Sequence, residues 1–151
     1  MRNAIRTSIM AMVIGASGML AAPHIMAHDG ATGIIKERMD KFKETQGHLK
    51  AISKLMGGDA FGEIGERAVA MRDWGIAMPD AFPEGSDKPP SDALPAIWSD
   101  NAGFKDAANN HVIALDALIN AANTKDMGAV KIAFRDVAGT CKACHIKYRK
   151  F

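Results

Sequence analysis

The sequence predicts an all-α protein folded as an antiparallel four-helix bundle. Four segments have the hydrophobic spacing of amphipathic helices, and breaks rich in glycine or proline separate them. Little of the remaining sequence alternates between apolar and polar residues as strands do. A chain of 151 residues has room for one domain, and four such helices can bury their apolar faces against one another in a bundle.

Residues 1–27 are predicted to form a secretory signal peptide. They contain two arginines and no acidic residue, and an apolar run over residues 9–22 follows the arginines. This run is short and is interrupted by glycine and serine, so it does not resemble a transmembrane helix. We place the cleavage after Ala27, which leaves residues 28–151 as an exported domain with no membrane attachment.

The charge of the mature chain argues against two classes of partner. The whole sequence has 19 basic and 17 acidic residues, and the predicted signal peptide holds two of the basic ones. The mature chain is therefore close to neutral. Proteins that bind nucleic acid or an anionic membrane surface generally carry an excess of positive charge. We therefore expect neither partner.

Two predicted helices lie before the longest break. The first covers residues 32–56 and ends at a pair of glycines, as helices often do. The second covers residues 60–77 and has its apolar residues on one face, with Trp74 beside them. The apolar residues of the first helix are Ile35, Phe42, Leu49 and Met56, seven apart, with Met39 and Ile52 between them, and those of the second are Ile64, Ala68 and Met71.

Residues 79–99 are predicted to form the long connection. Five of the six prolines of the chain lie here, a density that no regular helix tolerates. A disordered linker is one interpretation of such a stretch. The segment also contains large apolar residues, so we expect it to pack over one end of the bundle. These residues are Phe82, Leu94, Ile97 and Trp98.

Two further helices complete the bundle. The third is predicted over residues 101–122, with an apolar stripe that includes His111. The fourth is expected to be capped by Asn123 or Thr124 and to run to the end of the chain. Its apolar residues alternate at spacings of four and three, which is typical of a core-facing seam. They are Val130, Phe134, Val137, Cys141, Cys144, Tyr148 and Phe151.

Both cysteines of the chain lie in one motif, Cys141-Lys142-Ala143-Cys144-His145. The spacing C-x-x-C-H is typical of the attachment site of c-type haem. Two thiols three residues apart share a face of a helix, so both can add to the two vinyl groups of one haem, and His145 follows one turn after Cys141. His145 is therefore predicted to be the proximal ligand of the iron. Because both cysteines lie on the apolar seam, we expect one covalently bound haem c in the core.

Other interpretations of the two cysteines are weaker. A structural zinc site needs four ligands, and the sequence has no second pair of cysteines. A thioredoxin-like motif belongs to a βαβ unit, which the predicted helices do not form. A disulfide is the third alternative, because an exported chain folds in an oxidising compartment. Thioether formation on c-type cytochromes also takes place outside the cytoplasm, so the expected location is the bacterial periplasm.

These features resemble the class II c-type cytochromes, and within them the cytochrome c′ family. The resemblance covers nearly the whole mature chain. It implies an up-down-up-down bundle, often a homodimer, that transfers electrons or binds nitric oxide or carbon monoxide. The implied partners are small redox proteins or these gaseous ligands. Besides the C-x-x-C-H motif, it rests on Ile35-Lys36-Glu37-Arg38, on Ala81-Phe82-Pro83-Glu84-Gly85 and on Trp98.

The resemblance also assigns roles around the haem. Cys141 and Cys144 correspond to the thioether sites and His145 to the proximal ligand. Arg38 corresponds to an arginine near a haem propionate, since a guanidinium can bind a carboxylate with two hydrogen bonds. An exposed position on the helix surface is the alternative for Arg38. Met39 stands where many members have glutamine.

Four other residues have weaker assignments. Arg149 corresponds to an arginine that flanks the proximal face, and Asp80 to an acidic residue near the haem edge in some members. His111 is expected to be a hydrogen-bonded core or interface histidine in preference to a ligand. His48 is expected to be exposed on the first helix.

Phe42 is expected to decide the sixth coordination position. No methionine follows His145, so a distal ligand would have to come from another helix. In the family the deciding residue lies four positions after the arginine of the first helix, one turn along the same face. A phenyl ring has no lone pair to give to iron, so we expect a five-coordinate, high-spin haem capped by Phe42. A thioether ligand from Met39, giving a six-coordinate, low-spin electron carrier, is the alternative.

No enzymatic activity is expected. A haem peroxidase would need a distal acid–base pair over the iron. The distal face should come from the first helix, whose inward positions are predicted to be apolar. Electron transfer or gas binding is therefore favoured over a peroxidase-type enzyme.

Overall fold

The computed structural model describes residues 30–151 as a bundle of four long helices joined by one long connection. The predicted all-α four-helix fold is confirmed, and within the described residues the only strand-like feature is an isolated bridge between Ala93 and Arg149. The predicted signal peptide, its cleavage site and His28 lie outside these residues. In chain order the elements are α1 (Gly33–Leu55), α2 (Phe61–Ala77), a 3₁₀ turn (Met78–Ala81), the short α3 (Ala96–Ser99), α4 (Asn101–Asn123) and α5 (Met127–Tyr148).

The start of α5 differs from the prediction. Its N-cap is Asp126, whose Oδ1 accepts hydrogen bonds from the backbone N–H groups of Gly128 at 2.8 Å and Ala129 at 3.1 Å. The predicted caps, Asn123 and Thr124, are wrong. The helix α4 continues through Asn123, and the hydroxyl of Thr124 donates back to a carbonyl in the last turn of α4.

The end of α5 differs as well. The helix stops at Tyr148, and Arg149 has an extended backbone. Two backbone hydrogen bonds of 3.0 and 2.8 Å pair this tail with the connection on either side of Ala93. Phe151 was predicted on the apolar seam of the fourth helix but is 95% exposed. That prediction is wrong because the chain leaves the helix before it reaches Phe151.

The end of the bundle away from the C-x-x-C-H motif has an aliphatic core, which we call the closed end. All four long helices contribute to it, and the predicted apolar face of α2 is buried there together with the parts of the apolar faces of α4 and α5 that lie away from the motif. Side-chain burial of this kind stabilises the folded state by roughly 25 cal/mol for each Å² removed from water. The closed end is defined by four fully buried residues, Ile52, Ile64, Leu118 and Val130.

The most buried row of α1 shares only Ile52 with the predicted apolar residues. Every seventh residue from Ile35 to Met56 is half-buried, whereas Arg38, Thr45 and Ile52 are buried. The two rows are the two sides of one core-facing seam. The expectation that the inward positions of α1 are apolar is therefore wrong at Arg38 and Thr45. Both polar side chains are buried with hydrogen-bond partners, which offset the cost of leaving water.

The connection packs over the end of the bundle that carries the motif, as predicted. The indole N–H of Trp98 donates to the carbonyl of Phe82 at 2.9 Å, which ties the two ends of the connection together. The connection forms a second apolar cluster with α4 and α5. Its buried residues are Ala93, Ile97, Phe104 and Tyr148, with Phe82, Trp98 and Cys144 packed against them.

The helix α1 is placed differently from the other long helices. The helix α4 packs closely along both α2 and α5, whereas α1 packs on α2 and on the 3₁₀ turn. Within residues 30–151, the backbones of α1 and α5 do not approach each other closely. Side chains bridge the space between these two helices, next to the C-x-x-C-H motif.

Candidate haem site

The two cysteines lie half-buried near the C-terminal end of α5 and are not joined in a disulfide. Cys144 packs against the apolar cluster of the connection, and Sγ of Cys141 lies 3.9 Å from Nδ1 of His111 on α4. Burial raises the pKa of both thiols, and the pKa of Cys144 reaches about 11, with a further contribution from Cys141. Both groups are therefore neutral thiols at pH 7, available for addition to vinyl groups.

His145 follows the cysteines on the same helix and is also half-buried. Burial first, and then the positive charge of Arg149, lower the pKa of His145. Its imidazole is therefore unprotonated at pH 7, the form in which a ring nitrogen can bind iron. Arg149 is exposed and forms an ion pair with Asp92, with 3.2 Å between Nη2 and Oδ2. The interaction with His145 agrees with the predicted position of Arg149 beside the proximal residue.

Phe42 lies opposite His145 across the space between α1 and α5. The centroids of the two rings are 6.3 Å apart. Two further rings contact Phe42 edge-on, Trp74 of α2 at 5.6 Å and Phe82 of the connection at 6.4 Å. The structure thus brings together the residues predicted for the two faces of the haem.

A chain of aromatic rings continues from Phe42 through the end of the bundle that carries the motif, which we call the haem end. Phe82 contacts Phe104 of α4 at 5.1 Å, and Phe104 contacts Tyr148 of α5 at 5.3 Å. The phenol of Tyr148 donates to Oδ2 of Asp100, the N-cap of α4. With Trp74, rings from all four long helices and the connection therefore form one layer at the haem end.

Arg38 is buried, so the alternative of an exposed helix surface is wrong for this residue. Its Nη1 donates to Oγ of Ser86 at 2.7 Å and to the carbonyl of Ala81 at 3.3 Å. Its Nη2 donates to the carbonyl of Ser86 and, at 2.6 Å, to Oγ of Ser91. The guanidinium carbon also lies 4.3 Å from the ring centroid of Phe82, in cation–π geometry. Pairing of Arg38 with a propionate stays a prediction.

Burial lowers the pKa of Arg38, and the nearby charge of Asp87 opposes that shift. A guanidinium keeps its proton in proteins, so Arg38 brings a buried positive charge to the haem end. Four oxygen acceptors of the connection satisfy this charge.

The three remaining candidates, Met39, Asp80 and His48, are not part of the ring layer. Met39 is half-buried, three residues before Phe42. Asp80 is exposed in the 3₁₀ turn. His48 is half-buried, contrary to the expected exposure, because it lies on the flank of α1 next to the buried Thr45 and Ile52. Its ring nitrogens have no hydrogen-bond partner, and a carboxylate oxygen of Glu44 lies 3.7 Å from Nε2.

His111 is the hydrogen-bonded core histidine that the sequence favoured. Its Nδ1 lies 2.8 Å from Oγ1 of Thr140, and that hydroxyl donates its single hydrogen to the carbonyl of Val137 at 2.7 Å. The hydroxyl must therefore accept from Nδ1–H, which fixes the tautomer of the ring. Burial first, and then the charge of His145, lower the pKa of His111 to about 4.

The residues of this site fit a covalently bound haem. Two free thiols on one face of α5, a neutral imidazole one turn on and a layer of rings provide attachment, ligation and an apolar surround. The backbones of α1 and α5 stand apart where this group would be held. Among residues 30–151, no group of three or more His, Cys, Asp or Glu side chains is placed to hold a metal ion without it.

Sequence reasoning missed Ser86 and Ser91, which together with two backbone carbonyls bind Arg38. Serines in a proline-rich connection have no periodicity that would have marked them as buried. Thr140 was also missed, although its place one residue before the motif, on the helix packed against His111, was a usable signal.

Comparisons with known proteins show the family of the chain. The family model described as cytochrome c′ matches residues 33–149. The cytochrome c′ of Rubrivivax gelatinosus is 44% identical over 71 residues, which cover 46% of this chain and 55% of that protein. The cytochrome c′ of Rhodospirillum rubrum is 28% identical over 141 residues, which cover 91% of this chain and 96% of that protein.

Solved structures lead to the same family. The crystal structure of cytochrome c′ from Rubrivivax gelatinosus matches with a TM-score of 0.68 and 31% identity, over 78% of this chain and 94% of that chain. Two variants of cytochrome c prime from Alcaligenes xylosoxidans, a ferrous one with bound nitric oxide and one with bound carbon monoxide, match with TM-scores of 0.71. They are 26% and 27% identical over 78% of this chain and 94% of theirs. The chain therefore belongs to the cytochrome c′ family, whose members carry a covalently bound haem c.

Proposed function

We propose that this chain is a periplasmic haem protein with a five-coordinate iron. The protein binds small uncharged ligands such as nitric oxide and carbon monoxide at this iron, and it exchanges single electrons with small redox proteins. The observation that carries this proposal is the position of Phe42 opposite His145, 6.3 Å between ring centroids. When bound, the haem supplies an iron that changes its oxidation state by one electron and takes small neutral ligands. The relatives with bound nitric oxide and carbon monoxide support this ligand class.

Each residue of the site has its own role. Cys141 and Cys144 would hold the group on α5, and His145 would give a ring nitrogen on one side. Phe42 would cover the other side without a lone pair to donate. Because Trp74 and Phe82 pack beside Phe42, a ligand would enter when the ring of Phe42 moves aside. This apolar surround favours small neutral molecules over ions, whose desolvation is costly.

The alternative is a six-coordinate electron carrier with Met39 as the distal ligand. Met39 would have to reach the position that Phe42 holds, and Phe42 is kept there by edge contacts with Trp74 and Phe82. These contacts support Phe42 as the cap.

We propose further that the protein is not a peroxidase-type enzyme. Such an enzyme needs a distal acid–base pair. The buried polar residues of α1 are already engaged, because the Nη groups of Arg38 donate to the connection and the hydroxyl of Thr45 donates to the carbonyl of Lys41. A lack of reaction with hydrogen peroxide beyond that of free haem is the expected result.

The periplasmic location rests on the predicted signal peptide and on the need to attach haem c outside the cytoplasm. None of the helices in the described part of the chain combines the length and apolar character of a membrane span. Mass spectrometry of the exported protein should give a mature chain that begins near His28. A retained residue 1 would contradict the signal peptide.

The visible spectrum of the ferric and ferrous holoprotein tests the proposed coordination. High-spin ferric bands at pH 7 are expected for the wild type. Phe42→Met should convert the spectrum to low-spin, since a thioether then replaces the phenyl ring, whereas Met39→Leu should leave it high-spin. A low-spin wild-type spectrum that becomes high-spin in Met39→Leu would instead identify Met39 as a ligand.

A further inference from the structure

Phe82 is the neighbour of Phe42 that does not belong to a long helix. Of the three rings that contact Phe42, Trp74 lies in α2 and His145 in α5, whereas Phe82 follows the 3₁₀ turn in the connection. His145 belongs to the other face of the haem site, so for the ring of Phe42 to move aside either Trp74 or Phe82 has to yield. Loop segments yield at a lower cost in free energy than helices that pack along their whole length. Phe82 is therefore the neighbour whose mobility limits Phe42.

Arg38 fastens this part of the connection. Its guanidinium lies 4.3 Å from the ring centroid of Phe82 and bonds to oxygen atoms of Ala81, Ser86 and Ser91. Ala81 lies before the turn at residues 84–87, Ser86 lies within it and Ser91 lies after it, so one side chain joins the two arms of the loop. With the guanidinium in place, Phe82 is held between Arg38 on one side and Phe104 on the other.

Arg38 and Phe42 lie one turn apart on the same face of α1. Phe42, the proposed cap, and Arg38, which holds Phe82 in place, therefore both belong to the rigid helix α1. We propose that Arg38 sets the rate at which small ligands reach the iron, by holding Phe82 and the loop of residues 81–91 against Phe42. This inference rests on the proposed function, since it requires Phe42 to be the distal cap.

The role proposed for Arg38 does not depend on a pairing with a haem propionate. The two terminal nitrogens carry four of the five N–H bonds of the guanidinium, and the four acceptors of the connection match these four in number. Arg38 touches neither the thiols nor His145 in these contacts. It is a positioning residue that acts on ligand entry through Phe82.

The test is the rate of carbon monoxide association with the ferrous holoprotein, measured by stopped flow. Arg38→Lys keeps the charge but loses the planar group that reaches both serines and covers Phe82. It should raise the association rate about tenfold, which corresponds to a barrier lower by about 1.36 kcal/mol. Phe82→Leu should raise the rate by a similar factor, and the spin state in the absence of ligand should stay as in the wild type.

Two controls separate this role from general destabilisation. Arg67→Lys changes an arginine whose partner is Glu63 on the exposed surface of α2, so the rate should not change. Val130→Ala opens a cavity at the closed end, 15 residues before His145 on α5, and should lower the unfolding temperature without a change in rate.

A second variant keeps the test possible if Arg38→Lys fails to retain haem. Ser91→Ala removes one acceptor of Arg38 and then replaces Arg38→Lys in the test.

Phe42→Ala distinguishes failure of this inference from failure of the proposed function. If Phe42→Ala binds carbon monoxide faster while Arg38→Lys and Phe82→Leu bind at the wild-type rate, the role of Arg38 is refuted and the cap stands. If Phe42→Ala also binds at the wild-type rate, the cap is refuted, and the role of Arg38 with it. Faster binding in all three variants, with both controls unchanged, supports the inference.

Discussion

The two ends of the bundle are built from different kinds of contact. The four residues that define the closed end are aliphatic and fully buried. At the haem end the buried contacts are between rings and between hydrogen-bonding groups, with Phe82 held between Arg38 and Phe104 and the phenol of Tyr148 bonded to Asp100. All four long helices meet at the closed end, whereas α1 and α5 are bridged at the haem end by side chains.

This difference shows how one bundle separates stability from positioning. Aliphatic burial is non-directional and tolerates changes that conserve volume. Ring edges and hydrogen bonds are directional, so they fix where a group stands. Substitutions at the closed end should therefore change the free energy of unfolding, and those at the haem end should change the spectrum, the haem content or the ligand rates.

The largest effect is expected at the haem end. Replacing both thiols, with Cys141→Ser and Cys144→Ser together, should abolish covalent attachment, because the hydroxyl of serine does not form the thioether. Denaturing electrophoresis with a haem stain should then show no coloured band at the size of the chain. Lys142→Ala, an exposed residue inside the motif, is the matched control and should keep the band. A stained band in the double variant would overturn the assignment of the thiols.

The second effect belongs to the closed end. Leu118→Ala removes a fully buried side chain and should lower the free energy of unfolding by about 3 kcal/mol, the size typical of such cavities. Ile113→Ala on the same helix removes a side chain that is 57% exposed and should change it by less than about 0.5 kcal/mol. The visible spectrum should be that of the wild type in both. A change of spin state in Leu118→Ala would mean that the two ends are not independent.

The smallest effect is a pH dependence of the stability where the start of α4 contacts the end of α5. Lys147 first, and then Tyr148, hold the pKa of Asp100 below its usual value. A lowered folded-state pKa means that the carboxylate stabilises the fold above its unfolded pKa of about 3.9, and that this stability is lost as the pH falls through the folded value. Asp100→Asn keeps a good N-cap and removes the charge.

We therefore expect a small decrease in unfolding temperature for Asp100→Asn at pH 7, and a smaller decrease at about pH 2, where more of the Asp100 carboxylate is protonated in both states. Thermal unfolding at the two pH values measures it. A decrease of equal size at both values would assign the effect to the cap instead of the charge.

Sequence reasoning succeeded where a period or a motif carries the information. The apolar faces of α2 and α4 repeat every three or four residues, and the C-x-x-C-H spacing leaves few alternatives for Cys141 and His145. Helix ends were less predictable, because they depend on contacts distant in the chain. The backbone pairing of the tail with Ala93 stops α5 at Tyr148, and no local signal marks it.

The buried polar residues were the hardest to predict. Arg38 was singled out by resemblance as a residue near a haem propionate, which stays a prediction, and its partners in the structure are Ser86, Ser91 and two backbone carbonyls. Burial of a guanidinium depends on whether acceptors from another segment surround it. Such a set of acceptors has no period along the sequence. Distances between α1 and the connection were needed to see it.

The separation of α1 from α5 also bears on the order of assembly. Phe42 and His145 are about 100 residues apart in the chain, and contacts between such distant residues form late because closing a long loop costs entropy. The helix α4 packs along both α2 and α5, and both thiols lie on α5. We therefore expect the contact between Phe42 and His145 to form late in folding, and until it forms the thiols are reachable from the side of α5 that faces α1.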